Sequence, residues 1–215
     1  KILHENEQRV GWYIRNGEVL EHIRRYKTNP RYLRDVHFDT ERLWLSDDLN
    51  RIVEDSDLLV LVTPSIYLKT TLAPLTVPLE SKFVVSAIKG IIPEELVTVA
   101  EYMKLTYGLP FDQLGIVSGP CHAEEVALER LSYLTAVCKT PENSEALGRK
   151  IRTDYIRVTP STDIYGIEYA AVLKNIYAIA VGMAIGLGYG DNFLAVLISN
   201  GAMEMARFME QAYPE

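Results

Sequence analysis

One long apolar stretch constrains this chain more than any other part of it. Residues 164 to 185 contain no proline and are rich in alanine, isoleucine and leucine, which predicts a long buried helix. Lys174 lies within it, and its neighbours three and four positions away on a helix include Ala170, Ala171 and Ala178. A lysine on such a face loses hydration, which lowers its pKa and suits it to general acid and base catalysis. The alternative is a lysine whose stem covers apolar surface while its ammonium group reaches water.

Composition excludes several classes of protein. The chain has 215 residues, of which 48% are hydrophobic, enough for one large domain or two small ones. A net charge of −7 without a basic block argues against a nucleic-acid partner. Two cysteines and four scattered histidines predict neither a disulfide framework nor a metal site. The charged first residues do not resemble a signal peptide, and Lys174 and Asn175 interrupt the apolar run, so we expect a cytoplasmic protein without a membrane span.

Short apolar segments alternate with helical segments before residue 160. Segments 57–63 and 83–88 are continuously apolar, which is typical of strands buried on both faces of a parallel sheet. Further strands are expected at 9–15, 43–46, 115–118, 134–138 and 155–158, and helices at 1–6, 18–26, 47–55, 66–72, 94–107, 122–129 and 142–152. From Thr162 onward only helix is expected. We therefore predict an α/β domain with a parallel sheet over residues 1–160, followed by an all-helical domain over 161–215.

The residues that follow the predicted strands indicate an anion site. Ligands of open parallel sheets bind beyond the carboxyl ends of the strands. Two of those ends carry a positive charge and two carry a glycine that lets a ligand approach the backbone; the ends are Arg15-Asn16, Pro64-Ser65, Lys89-Gly90 and Gly119-Pro120. The glycine cluster at 186–190 follows a helix rather than a strand, so we interpret it as a break between helices and not as a phosphate loop.

Four motifs, in order and at matching spacing, carry a family resemblance. They are Ser86-Ala87-Ile88-Lys89-Gly90-Ile91, the segment from Ser118 to Ala127, Leu173-Lys174-Asn175, and Gly190-Asp191-Asn192 with Glu204-Met205. Together they resemble the bacterial NAD(P)-dependent glycerol-3-phosphate dehydrogenases, from the second strand to the end of the chain. The resemblance implies a Rossmann-like dinucleotide-binding domain followed by a helical substrate domain. It also implies reversible hydride transfer between NAD(P)H and dihydroxyacetone phosphate, giving sn-glycerol 3-phosphate for glycerophospholipid synthesis.

The resemblance assigns roles to individual residues. Lys174 matches the catalytic lysine, which would bind substrate, protonate the carbonyl oxygen and accept the proton back in the reverse reaction. Cys121 replaces the hydroxyl residue of other members, and a thiol is a weaker donor. Arg15 stands where a carboxylate would favour NAD, which leaves NADP acceptable. The remaining matches are Lys89 (substrate and cofactor), Gly119 and Cys121 (substrate), and Ala123 and Arg15 (cofactor). Tyr177, Glu168 and Asn175 are candidates to support Lys174.

Two expectations concern the ends of the chain, and other functions stay open. The first strand with its glycine-rich turn is expected before Lys1, and the last part of the substrate phosphate site beyond Glu215. One alternative is a two-domain dehydrogenase acting on a hydroxy acid or a hydroxyacyl thioester. The other is a non-catalytic nucleotide-sensing or scaffold module, against which the presence of both Lys89 and Lys174 argues. The expected partner is a small-molecule substrate, with no nucleic acid and no membrane, and homodimer formation is left open.

Overall fold

The computed structural model describes residues 1–213. Its strands are β1 (Val10–Tyr13), β2 (Leu43–Ser46), β3 (Leu58–Leu61), β4 (Phe83–Ser86), β5 (Leu114–Ser118), β6 (Ser132–Cys138) and β7 (Ile156–Ser161). Its helices are α1 (Ile2–Asn6), α2 (Gly17–Tyr26), α3 (Leu49–Glu54), α4 (Ser65–Leu72), α5 (Val99–Tyr107), α6 (Ala123–Ala127), α7 (Pro141–Ile151), α8 (Ile164–Gly186) and α9 (Asp191–Ala212). The predicted alternation of strands and helices, followed by helix alone, is confirmed.

The strands form two sheets, and one pairing differs from the prediction. β1 and β2 make a parallel pair, and the larger sheet has the order β3-β4-β5-β6-β7. β5 and β6 are antiparallel, with Ile116 opposite Val137, whereas the other neighbours are parallel. A parallel return needs a crossover long enough to recross the sheet, usually a full helix. α6 has only 5 residues, so the chain returns antiparallel, while the 11-residue α7 carries it from β6 to a parallel β7.

Helices cover both faces of the larger sheet. On one face, Leu68 of α4 and Met103 of α5 pack against β4 and β5; on the other, Leu147 of α7 packs against β6. β3 is only half-buried, although its apolar sequence predicted burial on both faces. The reason is its position, because β3 is the edge strand of the larger sheet. The smaller sheet has its own core, in which Ile23 of α2 is fully buried.

The helix predicted at 94–107 begins five residues later, at Val99. Thr98 caps it, and Glu101 completes a capping box in which each side chain accepts a hydrogen bond from the other residue's backbone N–H. The preceding residues form a turn closed by a bridge between Ile92 and Val97. A capping box satisfies two backbone donors at once, so it defines the start of the helix more strongly than Pro93 does.

The helical segment contacts the sheet at its beginning and exposes most of the rest. Ile164, Glu168 and Ala171 of α8 are buried, and α8 packs against β5, β6 and α9. Nearly all of its other residues are half-buried or exposed, so the prediction of a buried helix is wrong over the greater part of α8. By length and composition α8 could also cross a membrane, but its contacts with β5 and β6 favour a helix of a globular domain. The predicted break is confirmed, since residues 187–190 separate α8 from α9.

Candidate active site at the strand ends

The loop after β4 carries Lys89 and Gly90. Lys89 is exposed, as its position beyond a strand end predicts. Gly90 has a φ of +146°, and a Cβ atom there would lie 2.9 Å from the hydroxyl oxygen of Ser65, at the start of α4. Glycine therefore allows this loop to lie close to α4. Lys69 of α4 forms ion pairs with Glu94 and Glu95. These ion pairs hold the segment that follows Gly90 against α4.

The loop after β5 lies beside Lys89. Gly119 has a φ of +136°, and a Cβ atom there would lie 2.5 Å from the carbonyl oxygen of Tyr133. Cys121 is half-buried; burial raises the pKa of its thiol, and the positive charge of Lys89 opposes that rise. β4 and β5 are parallel neighbours, so the loop that carries Lys89 and the loop that carries Gly119 and Cys121 leave the same edge of the sheet.

Ala123 and Arg15 follow other strand ends. Ala123 is the exposed first residue of α6, two positions after Cys121, and so belongs to the same loop region. Arg15 follows β1 in the smaller sheet and is exposed, and within residues 1–213 it forms no ion pair. Asn16 then caps α2 by accepting a hydrogen bond from the backbone N–H of Val19. The cofactor roles of Ala123 and Arg15 stay predictions.

Lys174 occupies an exposed position on α8. Its ammonium group donates a hydrogen bond to the side-chain oxygen of Asn175 at 3.2 Å, so Asn175 supports it as expected. Ala178, one turn further along, is also exposed. The prediction that Lys174 lies in dry surroundings is therefore wrong for the described residues. The alternative prediction, an ammonium group that reaches water, describes Lys174 in this structure.

Glu168 is the titratable residue whose surroundings depart most from those predicted. Only 6% of its surface is exposed, and one carboxyl oxygen accepts a hydrogen bond from the backbone N–H of Ala100 at 3.2 Å. The other oxygen is buried and has no hydrogen-bond partner within residues 1–213. Burial raises the pKa of Glu168 to about 7. The sequence signal was a single carboxylate in an otherwise apolar part of the helix, but that signal could not reveal contact with α5 rather than with Lys174.

The strand ends offer features that fit a nicotinamide dinucleotide. Val62, Ile66 and Tyr67 are exposed apolar residues beside the carboxyl end of β3, where they could pack against a flat ring. At Gly90 and Gly119 the space that a Cβ atom would fill lies against Ser65 and the Tyr133 carbonyl group, so these glycines allow close packing of the chain at the strand ends. Pro64 is the N-cap residue of α4 and offers no side-chain acceptor to the N–H groups of the first helical turn. These N–H groups suit the binding of an anionic group. No cluster of metal-ligating side chains occurs in residues 1–213.

Comparison with known proteins identifies the family. Residues 1–144 match the model of the NAD-dependent glycerol-3-phosphate dehydrogenase N-terminus, and residues 163–215 match that of the C-terminus. Glycerol-3-phosphate dehydrogenase [NAD(P)+] of Pseudomonas fluorescens (strain Pf-5) is 35% identical over 96% of this chain and 60% of its own length. The enzyme of the same name from Thermotoga sp. (strain RQ2) is 36% identical over 97% of this chain and 61% of its own.

A solved structure agrees with these matches. The crystal structure of glycerol-3-phosphate dehydrogenase from Coxiella burnetii matches with a TM-score of 0.84 and 25% identity. The match covers all of this chain and 65% of the Coxiella burnetii chain. The chain thus spans about 60% of the length of the curated relatives it matches. The two family models, which together cover most of the residues, show that this chain belongs to the NAD-dependent glycerol-3-phosphate dehydrogenase family.

Proposed function

We propose that this chain supplies part of the active site of an oxidoreductase that interconverts dihydroxyacetone phosphate and sn-glycerol 3-phosphate with NAD or NADP. The relatives' names support the reaction. The observation that carries the proposal is the position of Lys89, Gly119 and Cys121 after the carboxyl ends of the adjoining parallel strands β4 and β5. The product would enter glycerophospholipid synthesis, and we infer a cytoplasmic enzyme with a small-molecule substrate.

The chain's own residues have distinct roles in this proposal. The bound coenzyme supplies or takes up the hydride. Lys174 binds the substrate and donates a proton to its carbonyl oxygen, and it accepts that proton in the reverse direction. Because the oxygen becomes negative during reduction, a fixed ammonium group stabilises the transition state more than the ground state. Asn175 orients the ammonium group through the 3.2 Å hydrogen bond.

Binding of the substrate and coenzyme falls to the residues at the strand ends. The exposed ammonium group of Lys89 attracts the anionic substrate and would also contact the bound coenzyme. Gly119 contacts the substrate, and Cys121 contacts it with a weak donor. Ala123 and Arg15 contact the coenzyme, Arg15 at the adenosine ribose.

Replacing Lys174 by methionine in the full-length enzyme tests the mechanism. The change removes the proton donor and keeps the stem, so turnover of dihydroxyacetone phosphate should fall about a hundred- to ten-thousand-fold. NADH binding should persist. Since Lys174 is exposed, the free energy of unfolding should change by less than about 0.5 kcal/mol. Steady-state kinetics, coenzyme titration and denaturant unfolding measure the three quantities.

A matched control is Lys139→Met, which removes another exposed lysine; among residues 1–213 it is paired only with Asp112. Its turnover should stay at the parental level. Near-parental turnover of Lys174→Met would mean that Lys174 is not the proton donor, and a parent without activity on dihydroxyacetone phosphate would refute the proposed reaction.

A further inference from the structure

Glu168 occupies a contact between the helical segment and the larger sheet domain. It lies on α8, while its hydrogen-bond donor, the N–H of Ala100, belongs to the first turn of α5. The N-terminus of a helix has backbone donors without partners inside the helix, and these donors favour an ionised carboxylate, an effect that the burial of Glu168 outweighs. α8 therefore reaches the first turn of α5 through a buried polar group.

A second chain of hydrogen bonds lies beside this contact. Glu101, in the same first turn, accepts a hydrogen bond from the hydroxyl group of Tyr213 at 3.1 Å. That hydroxyl lies 2.6 Å from the hydroxyl of Tyr169 on α8, and Tyr165 stacks on the Tyr213 ring. These contacts connect α8 and Tyr213, the residue after α9, to the Glu101 carboxyl group in the first turn of α5.

The surroundings of Glu168 favour its protonated form. The titratable groups that face it are Glu101 of α5 and Tyr165 of α8, and neither carries a positive charge. An ionised Glu168 would be buried beside the Glu101 carboxylate with one oxygen unpartnered. An unpaired buried charge is costly. Loss of the proton should thus weaken the seating of α8 on α5.

The position of Lys174 depends on that seating. Lys174 lies six residues after Glu168, about 9 Å further along the same helix at 1.5 Å per residue. Beyond Ala171, α8 has few buried residues that could fix its rotation independently. A displacement of a reacting group by about 1 Å can cost about a hundredfold in rate. The seating of α8 can therefore control how well Lys174 meets a substrate at the strand ends.

We propose that Glu168 is a positioning residue, whose protonated carboxyl group seats α8 on the N-terminus of α5 and thereby sets the position of Lys174. This inference rests on the proposed function. It makes the activity depend on a residue that touches neither substrate nor coenzyme, and it predicts that turnover declines when Glu168 ionises.

The test compares Glu168→Gln, Glu168→Ala and Ile167→Ala in the full-length enzyme. Glutamine keeps the shape and the acceptor for Ala100 without ionising, so its kcat at pH 6 should stay within about threefold of the parent. Its pH profile should lack a decline through pH 7 that the parent shows. Alanine removes the contact, and kcat should fall at least tenfold at every pH while the Kd for NADH is unchanged. Ile167 is the adjacent partly buried residue of α8 and controls for loss of packing alone.

Two outcomes overturn the proposal. One is a Gln variant with the same decline as the parent, and the other is an equal loss of kcat in Ile167→Ala and Glu168→Ala. Hydrogen exchange at the Ala100 amide separates this inference from the proposed function. If the parent does not turn over dihydroxyacetone phosphate, the proposed function fails. The seating still stands if that amide is protected in the parent at pH 6, less protected at pH 8, and unprotected in Glu168→Ala; any other exchange pattern refutes it.

Discussion

Arg15 is an exposed side chain at the carboxyl end of β1, where it could pair with a phosphate on the adenosine ribose. Replacing it by aspartate reverses the charge at that point, so coenzyme preference should shift from NADPH toward NADH. Hydrogen bonds to charged groups contribute about 1.5–3 kcal/mol, which corresponds to about a tenfold change or more in the ratio of the two kcat/KM values. Arg149→Asp, on the exposed side of α7, makes the same charge change away from the strand ends and should leave the ratio unchanged. An unmoved ratio in Arg15→Asp would refute the assignment.

The raised pKa of Glu168 has a consequence for stability. Burial raises it from an ordinary 4.5 to about 7, so between these pH values the folded protein holds a proton that the unfolded chain releases. The free energy of unfolding should therefore fall as pH rises from about 4.5 to 7, by up to about 3 kcal/mol, and should not recover above pH 7. Urea unfolding at pH 5, 6, 7 and 8 measures this slope.

Glu168→Gln should flatten that slope and stabilise the protein at pH 8. Glu124→Gln, an exposed carboxyl group of α6, should leave the slope as it is in the parent. Equal slopes in the parent and Glu168→Gln would show that this carboxyl group does not hold the proton.

At the scale of single residues, sequence reasoning succeeded where the strand ends determine position. Lys89, Gly119 and Cys121 could be predicted as neighbours because β4 and β5 are consecutive parallel strands. Sequence reasoning did not predict the exposure of Lys174 or the burial of Glu168, because the burial of a helical residue depends on what packs against each face. The helical period shows which residues share a face, but not which face meets the sheet.

At the scale of elements, α8 and α9 are joined by a close contact at Gly201. A Cβ atom on Gly201 would lie 2.6 Å from the ring of Tyr177, so Gly201→Ala should force the helices apart and cost about 1–3 kcal/mol in the free energy of unfolding. Gly182 is also inside a helix, but a Cβ atom there would meet nothing within 4 Å. Gly182→Ala should instead stabilise the protein by about 0.5–1 kcal/mol.

Thermal unfolding of both variants measures these opposite effects. The double variant Gly201→Ala with Tyr177→Ala should recover part of the loss, because the smaller side chain leaves room for the added methyl group. Equal behaviour of Gly201→Ala and Gly182→Ala would contradict the close packing of α8 on α9.

The elements themselves could be predicted more fully than their directions. Continuous apolar runs bounded by glycine and proline predicted the strands, because an extended chain buries such a run on both faces of a sheet. β6 runs antiparallel to β5 because α6 is short. The length of α6 depends on where its backbone hydrogen bonds end. The late start of α5 depends on the capping box of Thr98 and Glu101, which outweighs Pro93.

At the scale of the whole molecule, α8 and α9 expose an unusually apolar surface. Its large hydrophobic residues are Ile176, Ile179, Met183, Ile185, Leu187, Phe193, Val196, Ile198 and Met203. Contiguous apolar patches beyond a few hundred Å² promote association. We therefore expect the 215-residue chain by itself to bind a hydrophobic dye such as ANS and to self-associate at micromolar concentration, as sedimentation would show.

Ile179→Lys with Met183→Lys should reduce both dye binding and association. Leu105→Lys with Leu128→Lys changes two exposed hydrophobic residues on α5 and next to α6, and should leave both properties unchanged. Equal effects of the two pairs would mean that the surface of α8 has no special part in association. The sequence predicted the α/β architecture and the helical segment, but it predicted burial for this surface because composition alone cannot distinguish a covered apolar helix from an uncovered one.

The close approach of Gly119 to the Tyr133 carbonyl limits how this site can diversify. A side chain at position 119 would have to enter the backbone of β6 and also adopt a φ that only glycine adopts freely. Directed evolution toward other hydroxy compounds therefore has no useful variation at this position. A library meant to change substrate choice should keep Gly119 fixed and vary Ser118, the last residue of β5, and Cys121 in the following loop, neither of which has a positive φ.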